Sequence, residues 1–176
     1  MDPMPTRLIF NRDIYTEVIE NQVLRARQTV WIATADLKDL HVQTGRRYKP
    51  ILELFEQMAL EGVRFRIIHA KIPSAPFRDT LDSLPGLLQG GLELQVCPRS
   101  HWKMVIVDGR FGYFGSANFT GAGLGVKNER RRNLEVGAIT HDPEIVGQLV
   151  SQFDQFWIGD FCGDCAFRDR CPDPIV

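Results

Sequence analysis

The stretch His101-Trp102-Lys103-Met104-Val105-Ile106-Val107-Asp108 decides how this 176-residue chain is read. Met104 to Val107 are apolar without interruption, as in a strand covered on both faces, and Asp108-Gly109 supplies a hairpin turn into a second apolar run, Phe111 to Phe114. His101 and Lys103 are two apart, so at the mouth of the strand they point to one face. An imidazole beside an ammonium suits an anion.

Downstream, Gly115, Ser116 and Asn118 form a small-residue loop whose hydroxyl, amide and backbone donors can approach phosphate oxygens closely. Glu135, two residues after Asn133, can orient a histidine by accepting from its second ring nitrogen.

Working outward, Leu8 to Phe10 reads as a short strand, and Asn11 as the cap of a helix reaching about Arg27. Thr29 to Thr34 is a β-branched strand followed by a polar loop with His41, Gly45, Arg46 and Arg47 that can face a ligand. Pro50 opens a helix that Gly62 stops, Val63 to Ala70 is a strand, and Leu81 to Leu88 a short, interrupted helix. Leu92 to Val96 and Asn133 to Thr140 are further strands, and Asp142 caps a last helix to about Trp157. The alternation predicts an α/β fold, a mixed β-sheet sandwiched between helices. No internal repeat is visible.

The composition, 44% hydrophobic and 24% charged, is that of a folded domain, and a net charge of -1 gives no global positive field, so a polyanion site must be a local patch. No apolar run approaches the roughly 20 residues of a membrane helix, and the amino terminus has no long apolar core, which makes the cytoplasm the expected location.

The whole spaced pattern, His101-x-Lys103-x4-Asp108, six residues, then Gly115-Ser116-x-Asn118, resembles the signature of the phospholipase D superfamily. Asn133-Leu134-Glu135 is similar to that family's downstream Asn-x-Glu, although the connection from Asn118, carrying Lys127, Arg130, Arg131 and Arg132, is longer than in its single-motif endonucleases. The resemblance implies a catalytic domain over residues 1–160 with the site His101, Lys103, Asp108, Ser116, Asn118 and Glu135. It also implies that two motifs make one site. A chain with one motif is then a homodimer across a two-fold axis, in which one His101 forms a phosphohistidine and the other serves as acid and base, with no cofactor for catalysis. The reaction implied is phosphodiester cleavage, with a nucleic acid, DNA or RNA, as the favoured substrate because small single-motif members resemble endonucleases. Lipid phosphodiesters, or nucleic-acid binding without turnover, are the alternatives.

Residues 161–176 form a separate tail with Cys162, Cys165 and Cys171. Three clustered cysteines in a chain without a secretion signal point to metal, and Cys97, four residues before His101, is the candidate fourth ligand. The spacing resembles the three-cysteine end of iron–sulfur sites in some RecB-like nucleases, where a fourth cysteine lies far upstream. Zinc and an iron–sulfur cluster both fit as a structural centre.

Overall fold

In the computed structural model, which describes residues 6–126 and 128–175, the apolar runs become β1 (Arg7–Phe10), β2 (Thr29–Thr34), β3 (His41–Thr44), β4 (Arg47–Pro50), β5 (Arg64–His69), β6 (Leu92–Val96), β7 (Met104–Val107), β8 (Phe111–Gly115) and β9 (Val136–Thr140). The helices are α1 (Arg12–Ile14), α2 (Ile51–Leu60), α3 (Ala75–Asp82) and α4 (Pro143–Trp157). Seven strands make one mixed sheet in the order β1-β9-β8-β7-β2-β5-β6, and β3 and β4 pair separately.

Alternation along the strands loads both faces of this sheet. Val30, Ile32, Phe65, Ile67, Val105 and Val107 point into the larger core, with Tyr15, Val18, Leu52 and Phe55 from the covering helices. Phe55 stacks on Phe65 at 4.1 Å between ring centroids. Ala33, Ile68, Met104 and Ile106 point the other way, onto Val146 and Phe153 of α4. That helix starts where the Asp142 carboxylate accepts the backbone N–H groups of Glu144 and Ile145, and it brings Phe153 within 5.0 Å of Trp31. The expected sheet between helices is therefore present, and β7 lies inside it, buried on both faces.

Polarity of the strands fixes where loops gather. β2, β5 and β6 run parallel, while β7 pairs antiparallel with β2, Ala33 opposite Met104. The ends of β2, β5 and β6 thus share one sheet edge with the start of β7, and the antiparallel partners place the end of β8 and the start of β9 there too.

Several expectations are corrected. Asn11 does not cap a long helix: its side chain makes no cap bond, its φ is 50°, and α1 gives way to a wider π-helical turn over Tyr15–Glu20 and a 3-10 turn over Val23–Arg25. The polar loop after β2 is partly a hairpin, β3 and β4, turning at Gly45 and Arg46. The interrupted helix of residues 81–88 is instead α3, which begins at Ala75, followed by a π turn over Leu87–Gly91. Lys127 and residues 1–5 lie outside the described residues. After α4, residues 158–175 fold back as turns beside β6, where the Val96 N–H donates to the Asp173 carboxylate at 3.2 Å.

Asp108 closes the β7–β8 turn with positive φ at both Asp108 (52°) and Gly109 (60°). Its carboxylate accepts the backbone N–H groups of Arg27, Gln28 and Thr29 at 2.8–2.9 Å, which ties this turn to the start of β2. Asp108→Ala leaves those donors to water and is expected to lower unfolding stability by about 2 kcal/mol in urea titration, whereas a change below about 0.5 kcal/mol would contradict this role.

Candidate active site

The shared sheet edge brings together Asn11, Thr34 to Asp36, Lys71, His101, Lys103, Ser116, Asn118 and Glu135. His101 and Lys103 sit just before β7, and since that strand is locked in the core they are delivered to its mouth. His101 is exposed. The Lys103 ammonium stands 3.3 and 3.4 Å from its two ring nitrogens and donates to its backbone carbonyl at 2.9 Å. Burial pushes the Lys103 pKa below that of an ordinary lysine; the Asp36 and Glu135 carboxylates oppose the shift and Lys71 adds to it.

The loop after β8 is shaped by close packing. A Cβ on Gly115 would lie 2.6 Å from Gly137 Cα and 2.7 Å from the Tyr113 hydroxyl, so only glycine fits before Ser116. Asn118 is then clamped by the end of β2: its Oδ1 accepts from the N–H groups of Ala35 (3.1 Å) and Asp36 (3.2 Å) and lies 3.3 Å from the Thr34 hydroxyl. With the carbonyl oxygen engaged, the amide NH2 is the end presented as a donor.

Glu135 is placed differently from the sequence expectation. Its carboxylate accepts from the Ser116 hydroxyl and, at 3.0 Å, from Asn133 Nδ2, and it makes no bond to His101 within the chain. The backbone on either side is held by Asn11, whose Oδ1 accepts the Glu135 N–H and whose N–H donates to the Glu135 carbonyl, both at 2.9 Å. Within the chain, the carboxylate fixes the serine loop.

Asp108, which the motif suggests is a structural or orienting residue and not a proton carrier, is set apart from the other site residues. It lies at the opposite end of β7, about 16 Å of strand away from Lys103, and has the anchoring role given above. Of the basic run, Arg132 is a strut, its guanidinium bonded to the Gly123, Gly125 and Asn11 carbonyls, while Arg130 and Arg131 are exposed. Two charged groups at the edge escaped sequence reasoning: Asp36 and Lys71, which pair at 3.2 Å. Both directly follow strands, but no spacing rule links them to His101.

The arrangement gathers an imidazole, two ammonium groups, two carboxylates, a hydroxyl and an amide at one sheet edge. Residues 19–157 match the family described as cardiolipin synthase, PLD-like domain, and the chain belongs to it. A cardiolipin synthase of Oceanobacillus iheyensis is 34% identical over 99 residues, 54% of this chain and 19% of that protein, so the match spans about a fifth of that relative. Among solved structures, NucT from Helicobacter pylori superposes with a TM-score of 0.63 at 19% identity over 87% of this chain and 95% of that one. Nuc from Salmonella typhimurium, described as a phospholipase D family member, superposes with a TM-score of 0.61 at 15% identity over 98% and 99%.

The clamp on Asn118 makes a definite prediction. Asn118→Ala strips the acceptor from two partly buried backbone donors and is expected to cost about 1–3 kcal/mol of stability, measured by thermal or urea unfolding. An unchanged midpoint would show that the loop after β2 is not held by this side chain.

Proposed function

We propose that the chain is a phosphodiesterase that hydrolyses nucleic-acid phosphodiester bonds as a homodimer, with His101 of each subunit in one shared site. The observation that carries this reading is the pairing of His101 with Lys103 beside the Asn118 amide at an open sheet edge, with one imidazole where the chemistry uses two.

In the first step a ring nitrogen of His101 attacks phosphorus, a nitrogen–phosphorus bond forms, and the bond to the leaving oxygen breaks as the partner subunit's His101 gives that oxygen a proton. In the second, the partner subunit's His101 takes a proton from water, whose oxygen attacks phosphorus and displaces the His101 nitrogen. Lys103 and the Asn118 amide stabilise charge on the non-bridging oxygens throughout. This sequence runs on side chains of the protein and is expected to proceed in EDTA.

An apolar surface beside the site supports the dimer. Leu8, Phe10, Phe114 and Val136 share one face of β1, β9 and β8 beyond the reach of α4, and Leu134, next to Glu135, is 90% exposed. Pairing of two chains through this surface would bury the patch.

The nucleic-acid substrate is supported by exposed basic groups beyond the same edge: Arg46 and Arg47 on the β3–β4 hairpin, and Arg130 and Arg131 on the loop tied to it where Val126 N–H donates to His41 O at 3.3 Å. A lipid phosphodiester is the second reading, favoured by the family's description as cardiolipin synthase. Among the described residues no helix is long and apolar enough to cross a membrane.

Single-stranded DNA, duplex DNA, RNA and phosphatidylcholine vesicles, each with EDTA, distinguish the readings. Nucleic-acid cleavage reduced about a thousandfold or more in His101→Ala is expected; turnover of vesicles alone would replace the substrate, and cleavage surviving in His101→Ala would overturn the mechanism.

The lowered pKa of Lys103 has a signed consequence. The ammonium is the useful form, so activity is lost as pH rises through a value below the roughly 10.4 of a free lysine. In Lys103→Arg, whose guanidinium keeps its proton, this alkaline limb moves to higher pH at reduced rate. A limb in the same place in both proteins would contradict the assignment.

A further inference from the structure

Away from the apolar patch, Cys97, Cys162, Cys165 and Cys171 line a single cavity of about 240 Å³ between the turn after β6 and the folded-back tail. They are free thiols, and each is partly buried. Sequence separation makes the grouping notable: Cys97 follows β6, whereas the other three follow α4.

The surroundings are those of a thiolate cage. The Phe167 N–H donates to Cys165 Sγ at 3.4 Å, and the Arg99 guanidinium faces Cys165. Such donors spread the negative charge that several thiolates accumulate around a metal. Trp102, Phe156 and Phe167 supply an apolar wall. The tail is fastened to β6 independently of any metal, by Asp173 to the Val96 N–H, and is braced internally by Arg168 to the Cys162 carbonyl at 3.0 Å.

One tetrahedral ion about 2.3 Å from each thiolate draws the sulfurs to within about 4 Å of one another and leaves no cavity between them. Here, among the described residues, no three Cys, His, Asp or Glu side chains converge on one point as a single ion requires. The four cysteines instead line one cavity, and an all-cysteine set is the ligand pattern of a cluster.

We propose that Cys97, Cys162, Cys165 and Cys171 hold an iron–sulfur cluster that staples the tail to the turn leading into His101. Ser100 N–H already bonds to the Cys97 carbonyl at 2.9 Å, and His101 is the next residue, so the cluster would set where the catalytic strand begins without taking part in the reaction. The inference is independent of the substrate reading.

The full chain purified anaerobically is the material for the test. Iron and acid-labile sulfide in nearly equal amounts, with absorbance near about 400 nm, are the expected result. Each single Cys→Ser change, Cys97→Ser included, should lower bound iron at least about tenfold, while Ala166→Ser, which removes no thiol, keeps it. Colourless protein with one zinc per chain, protein lacking iron and sulfide, or full iron in Cys97→Ser would each overturn the proposal. Should a serine variant fail to fold, iodoacetamide labelling of the wild-type protein decides: in the iron-loaded chain all four cysteines are protected and become labelled after chelation, and a Cys97 labelled at full iron overturns the fourth ligand.

Discussion

Burial of four consecutive residues, Met104 to Val107, on both faces of the sheet is the constraint from which the site follows. A strand held by β2 on one side and β8 on the other cannot slide, because a shift of one residue would exchange the side chains facing the larger core with those facing α4. Its two ends are therefore fixed points. At one end His101 is exposed with Lys103 half-buried beside it; at the other, Asp108 receives the backbone donors of residues 27–29 and anchors the neighbouring strand. The histidine and lysine of one short motif thus lie at the sheet edge where the loops gather, and its aspartate at the far end of β7, where it anchors β2.

The remaining groups reach the site through polar contacts that the sheet order permits. Asn118 is useful because β2 ends beside it and engages its carbonyl oxygen, and Ser116 is held because Gly115 and Gly137 let β8 and β9 approach closely enough for Glu135 to meet it. Asn11 adds a third segment through two backbone bonds to Glu135. Every one of these contacts joins residues far apart in the chain, so rigidity of the site is a property of the whole sheet and not of one loop.

Much of the sheet was legible in the sequence. Thr29 to Thr34, Leu92 to Val96 and Met104 to Val107 are strands with the expected bounds, because apolar alternation or an unbroken apolar run reports burial directly. What periodicity does not report is a partner. Asn11 looked like a helix cap because asparagine before an amphipathic run commonly is one, and its actual use by Glu135 depends on the β1–β9 pairing. The same holds for Glu135 itself, which sequence order alone could not assign to Ser116 over His101, and for Asp36 and Lys71, which only the parallel β2–β5 pair brings together. The π-helical turn of Tyr15–Glu20 was hidden because its apolar positions mimic ordinary helical spacing.

The central claim is that one site needs His101 from two chains, and subunit mixing tests it most directly. Wild-type and His101→Ala chains are unfolded together in equal amounts, refolded to assort at random, and assayed for phosphodiester cleavage. A shared site is active only in the wild-type pair, so activity falls to about a quarter of that of all-wild-type protein at the same total concentration. A fall to only about half would mean that each chain carries a complete site of its own and would contradict the account.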